Sequence, residues 1–256
     1  MDILIEVMEF KKQQKSILYQ KTADKIITFI KENQTGIFEE MGENRLNEYT
    51  KLIISNCECV SENIFAICDI YTSIALYLGI NFIYDKQYDE INIHIRNIND
   101  DDVKKWQIIY NIFYKEYLIV AGKDGVNFDN ALRKMALSDI NLFLDFDTFN
   151  INGFEENAEY LWPEKFTLIN NSVYEFYNQC HSIAEYHNFN RIDQKHLFAH
   201  ISFFLGVSFY TDPQYYWVTE ILNKHYNDAS EIFLINCLKS LSYFIKKQNK
   251  ELFLSY

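Results

Sequence analysis

From about Glu9 to Lys31 apolar residues recur at helical spacing, with Phe10, Ile17, Leu18, Ile26, Ile27 and Phe29 set among lysines and glutamines. That spacing predicts a long amphipathic first helix. A second helix is predicted from roughly Glu43 to Cys57. A third runs from about Ser61 to Leu78, with Ser61 suited to its N-cap and Gly79 to its stop. A short fourth helix follows Asp85. A fifth runs from the Asp100–Asp102 cluster, where acids suit the positive helix pole, to Ala121, and Gly122 ends it.

The pattern then starts again. "YLGINFIYDKQY" (Tyr77 to Tyr88) and "FLGVSFYTDPQY" (Phe204 to Tyr215) share Leu, Gly, Phe, Asp, Gln and Tyr at identical offsets when the chain is shifted by 127 positions. The agreement extends on both sides. Asn44 to Tyr49 falls on Asn171 to Phe176, and Ile70, Tyr71 and Ile74 fall on Leu197, Phe198 and Ile201. The expected fold is therefore all-α, in two similar multi-helix units covering 1–126 and 127–256. The repeated signature is Gly79, Phe82, Asp85, Gln87 and Tyr88 in one unit and Gly206, Phe209, Asp212, Gln214 and Tyr215 in the other. Read locally it is scaffold. Each glycine stops a helix, each Phe anchors the turn, each Asp caps the short helix after it (with Pro213 in the first turn of the second copy), and each Gln-Tyr pair ties that helix down.

Composition supports this reading. Two prolines and seven glycines in 256 residues are few for folds that consume turn residues, and 48% hydrophobic with 23% charged residues is an ordinary globular balance. The abundance of Phe and Tyr accompanies abundant Ile, Asn and Lys, so it reads as sequence bias rather than a stacking platform. A net charge of −12 with no cationic stripe argues against nucleic acid as a partner. The opening "MDILIEVMEF" carries acids and no basic leader, so no secretory signal is expected, and the location is read as cytoplasmic. In that setting Cys57, Cys59, Cys68, Cys180 and Cys237 are expected to be reduced, small apolar fillers. The apolar stretch Ile64 to Tyr84 has the length of a membrane span, but its counterpart carries Lys195, His196 and His200, so both read as buried core helices with no membrane insertion.

Chemistry-bearing patterns are sparse. There is no phosphate-binding glycine loop and no Gly-x-Ser-x-Gly elbow. His196 and His200 share a helix face, yet they lack the Glu of a zinc-protease motif, and Asp69 and Ser73 stand at the equivalent positions, so no metal and no cofactor are expected. Asp85 and Asp212 read as caps rather than a carboxylate dyad. The two units differ most near their starts. The first carries Lys11, Lys12, Lys15, Lys21, Lys25 and Lys31, whereas Met135 to Glu164 holds only acids among its charged residues, including Asp145, Asp147, Glu155, Glu156 and Glu159. Those five are the candidate partner-binding residues.

The run from Val173 to Leu222, with Leu205, Gly206, Phe209, Asp212, Pro213, Trp217, Ile221 and Leu222, resembles a pattern in small helical proteins encoded beside type VI secretion spike and effector genes. "LWPEKF" (Leu161 to Phe166) belongs to the same likeness. The first unit departs from it, with Lys86 in place of the proline and Asp89 and Glu90 where an apolar or aromatic pair is expected. The resemblance implies a cytoplasmic accessory protein that acts by binding. It would be an immunity protein that neutralises a cognate secreted toxin, or alternatively an adaptor or chaperone that loads an effector. An enzyme using His181, His196 and His200 is a third possibility.

Overall fold

The computed structural model describes residues 2–96, 102–138, 143 and 148–249. Among them are twelve α-helices and no strand: α1 (Asp2–Asn33), α2 (Thr35–Val60), α3 (Ile64–Leu78), α4 (Asp89–Arg96), α5 (Asp102–Ala121), α6 (Val126–Leu137), α7 (Ile151–Leu161), α8 (Pro163–Ile169), α9 (Val173–Tyr186), α10 (Ile192–Leu205), α11 (Tyr216–His225) and α12 (Ser230–Gln248). Short 3₁₀ turns cover Phe82–Tyr84, Lys86–Tyr88, Lys123–Gly125 and Pro213–Tyr215.

Helix starts depart from expectation where a side chain closer to the helix does the capping. Asn63, not Ser61, caps α3, its Oδ1 accepting from Ala66 N at 3.3 Å, while Ser61 Oγ accepts from Asn63 N at 2.9 Å and fixes the approach. The predicted start of the second helix at Glu43 follows a break at Gly42, whose φ of 68° interrupts a helix already begun at Thr35. Asp100 and Asp101 lie outside the described residues.

Among the described residues the long first helix has no counterpart in the second half. Where a shift of 127 would place it, the described chain consists of α6 and α7, with Asn150 capping α7 by accepting from Gly153 N at 3.2 Å, and Pro163 then opens α8.

The buried side chains form two cores. One, from Ile26 to Phe113, is built by α1–α5 around Tyr71, Phe82 and Trp106. The other, from Ala131 to Leu241, is built by α6–α12 around Phe154, Phe176, Phe198, Phe203, Phe209 and Phe233. Aromatic pairs in both meet tilted or edge-on, the arrangement ring quadrupoles favour: Tyr71 lies 4.9 Å from Phe82 and 5.6 Å from Trp106, and Phe198 lies 4.6 Å from Phe209. Trp217 packs against the second core and is stacked on Phe244 of α12 at 3.9 Å.

Among the described side chains of α1, those buried in the first core, Ile26 and Ile30, lie in its C-terminal half. Phe10, Ile17 and Leu18 are exposed, contrary to what their spacing suggests, because this part of the helix overhangs a cleft instead of packing on the body. Among the described residues no single helix is long and apolar enough to cross a membrane, and α2 and α3, which together meet the length and composition, are bent by 117° at their break. Most of α3 is buried in the first core.

Candidate functional site

The two copies of the repeated motif are in direct contact, and they exchange equivalent interactions across the boundary between the cores. Asp85 Oδ2 accepts from Val207 N, and Asp212 Oδ2 accepts from Ile80 N, both at 2.9 Å. Gln87 Nε2 donates to Ser202 O at 3.1 Å, and Gln214 Nε2 donates to Ala75 O at 3.3 Å. Within its own turn each carboxylate also accepts from the following Gln: Asp85 from Gln87 N at 2.9 Å and Nε2 at 3.2 Å, Asp212 from Gln214 N at 3.1 Å and Nε2 at 3.0 Å. The expected capping role is thus present, but it uses half of each side chain, and the other half fastens the opposite motif.

Glycine makes this approach possible. Gly79 and Gly206 have φ of 90° and 87°, and a Cβ on either would fall 2.9 Å from Leu205 O or 2.4 Å from Leu78 O respectively. Both the backbone conformation and the contact exclude larger residues. Phe82 and Phe209 are fully buried behind the turns, one in each core. Asp85 and Asp212 are buried as well. Burial pushes both carboxyls above the usual range, Asp212 to about 6, and the hydrogen bonds from backbone and Gln donors hold them partly back.

Asymmetric contacts brace the same boundary. Gln179 of α9 donates to Tyr84 O at 2.7 Å and accepts from Lys86 N at 3.0 Å, while the Arg45 guanidinium lies 3.5 Å from the centre of the Tyr216 ring.

Beside the lock is a cavity of about 350 Å³ whose walls come from both halves, including Leu76, Phe113, Val120, Phe128, Phe204 and Tyr215. Lys165 and Tyr88 also line it. Lys165 is buried, donates to Tyr88 Oη at 3.3 Å, and sits over the rings of Trp162, Phe203 and Tyr88 at 5.0, 5.4 and 5.7 Å. Burial lowers its pKa to about 8, against the field of Asp85, which favours the charged form. Glu116, also in the wall, is pushed up to about 7 by burial and by the neighbouring Glu90 carboxylate.

No family model, curated protein or solved structure matches this chain.

The histidines are core residues. His196 and His200 are buried on α10 with rings 4.6 Å apart. His200 Nδ1 is 2.9 Å from His196 O and His196 Nδ1 is 3.4 Å from Tyr177 Oη. The Nε2 atoms of His181, His196 and His200 have no hydrogen-bond partner. Among the described residues no group of three His, Cys, Asp or Glu side chains is arranged to hold a metal ion. Burial lowers all three pKa values, those of His181 and His200 to about 4.

A group whose folded pKa lies below its unfolded value contributes stability that is present above the unfolded pKa of 6.5 and is lost as pH falls toward 4. For His200 the loss between pH 7 and pH 5 is about 2 kcal/mol. Urea unfolding of wild type and His200→Gln at both pH values should show a smaller acid-induced loss in the variant by about that amount. Equal losses would mean that His200 is charged in the folded protein.

Of the acidic candidates, Asp145 and Asp147 lie outside the described residues. Glu156 and Glu159 are exposed on α7 and Glu155 is half-buried, and among the described residues none of the three has an ion pair or hydrogen-bond partner. The opposite face of that helix, with Phe154, Asn157, Ala158 and Leu161, is buried. Of the five cysteines, all free thiols, Cys57, Cys68, Cys180 and Cys237 are buried fillers, but Cys59 is exposed and lines the cleft beneath α1. An apolar-filler role fails for Cys59 because it lies on the solvent side of α2.

Spacing along the chain did contain a signal for Lys165, which the motif reading passed over. It falls at the apolar interval between Leu161 and Ile169, two buried positions four residues away on either side.

Proposed function

We propose that this chain is a protein-binding module of an interbacterial toxin system, an immunity protein that binds and neutralises a cognate secreted effector. The observation that carries the reading is the outer face of α7. Glu155, Glu156 and Glu159 lie within two turns of a helix whose other side is fixed in the core, and among the described residues no cation pairs with them. Charges held in this way on a rigid element speed association with a basic surface by electrostatic steering. The resemblance of Val173 to Leu222 to accessory proteins of type VI secretion clusters supplies the biological setting. The two units, on this reading, are copies of one ancestral unit joined through the Gly79–Tyr88 and Gly206–Tyr215 turns.

Reversing Glu155, Glu156 and Glu159 together to Lys should weaken the complex with the effector encoded beside the gene by about tenfold or more, mainly through slower association at low salt, with thermal stability nearly unchanged. Calorimetry and stopped-flow mixing measure this, and undiminished affinity removes α7 as the surface. The function itself is tested by co-expression, since an immunity protein rescues cells that make the neighbouring toxin.

The second reading, an effector adaptor or chaperone, is favoured by the cleft of about 1390 Å³ beneath the overhanging half of α1. Lys11, Lys15, Glu58, Glu62, Leu18 and Tyr84 line it, a mixture suited to an extended segment of another chain. An adaptor would be needed for secretion and would give no rescue.

A further inference from the structure

We propose that the cavity at the junction of the two halves is a binding site for a small amphipathic monocarboxylate, its carboxylate held by Lys165 and Tyr88 and its apolar tail placed among Phe113, Val120, Phe128 and Phe204. The volume, about 350 Å³, falls within the range of about 300–1,000 Å³ typical of small-molecule sites, and the lining is largely apolar with a few converging polar groups. Lys165 supplies the chemistry. An ammonium has three N–H donors, and this one makes a single long hydrogen bond, to Tyr88 Oη, and no ion pair.

Asp85, the carboxylate whose field acts on Lys165, does not take up the remaining donors. Its oxygens accept from Gln87 and Val207, so they are committed to holding the two halves together. A buried cation with unused donors is costly unless an acceptor reaches it, and a carboxylate entering the cavity offers two oxygens at once. Glu116, the other carboxyl in the wall, is shifted toward its neutral form by burial and by the Glu90 carboxylate, which lessens the charge it sets against an incoming carboxylate.

The probe is octanoate, titrated calorimetrically into the full chain, with octanol as the uncharged match. Octanoate should bind about tenfold or more tightly than octanol, the margin expected of a charge-assisted hydrogen-bonded pair. Lys165→Met should erase that margin. Val120→Phe on α5, or Leu168→Phe on α8, fills the cavity and should abolish binding of octanoate, and these two variants decide the matter if Lys165→Met fails to fold. Equal affinity for octanoate and octanol overturns the proposal, as does octanoate binding that survives both filling variants, or no binding up to the solubility limit of the probe.

Discussion

Gly206→Ala should lower the melting temperature by about 10 °C, a loss of about 4 kcal/mol. Two causes act together. At φ of 87° an L side chain is strained, and the added methyl would lie 2.4 Å from Leu78 O and 3.5 Å from Asp85 Oδ2. The first atom is backbone of the opposite half, so it yields only if α3 and α10 move apart, which stretches the bonds from Val207 N to Asp85 and from Ile80 N to Asp212. Gly79→Ala should be nearly as damaging, because its methyl would meet Leu205 O at 2.9 Å. Gly42 separates the two causes. It has φ of 68° but nothing within 4 Å of an added methyl, so Gly42→Ala should cost only the backbone strain of about 1–3 kcal/mol. Calorimetric or circular-dichroism melts of the three variants check the order. Losses that are equal in all three would show that strain alone acts and that the halves do not clamp at these glycines.

How far the sequence foretold this arrangement depends on the range of the interaction. Helices and their stops were legible because they follow from local rules: apolar spacing in α3, α5 and α10, positive φ at Gly79, Gly122 and Gly206, Asp just before each short turn and Pro213 opening the second. The repeated motif was legible as a motif, and its capping function could be read from an Asp placed immediately before each short helix. What the motif holds was not legible, since Val207 is 122 residues from Asp85 and Ile80 is 132 from Asp212. Nothing in either segment alone indicates that the carboxylate's second oxygen will meet a backbone N–H of the other copy. The overhang of α1 was missed for a related reason, because amphipathic spacing at Phe10, Ile17 and Leu18 states that a face is apolar but not what lies opposite it. The histidines, read as packing residues, are buried among aromatic rings. Lys165 shows the converse, a charged side chain at a core position whose environment only the packed helices define.

Asp212→Asn, nearly isosteric, should cost about 3 kcal/mol, and the reason is the donor count. The carboxylate accepts from Ile80 N, Gln214 N and Gln214 Nε2, three donors on two oxygens, and an ionised carboxylate donates nothing. An amide keeps one oxygen and replaces the other with N–H₂. Turned one way it faces Gln214 N with a donor, and turned the other way it faces both Ile80 N and Gln214 Nε2. Either orientation leaves a buried N–H without an acceptor. Asp85→Asn meets the same conflict at Val207 N, with the added effect of removing the negative field that favours the charged form of Lys165. The double variant is the sharper measurement. If the two carboxylates fasten one interface, the first substitution already loosens the contact that the second would break, and the double should cost about 1–2 kcal/mol less than the sum of the singles. Strict additivity in urea unfolding would mean that the Asp85–Val207 and Asp212–Ile80 contacts act independently and do not form one cooperative fastening between the halves.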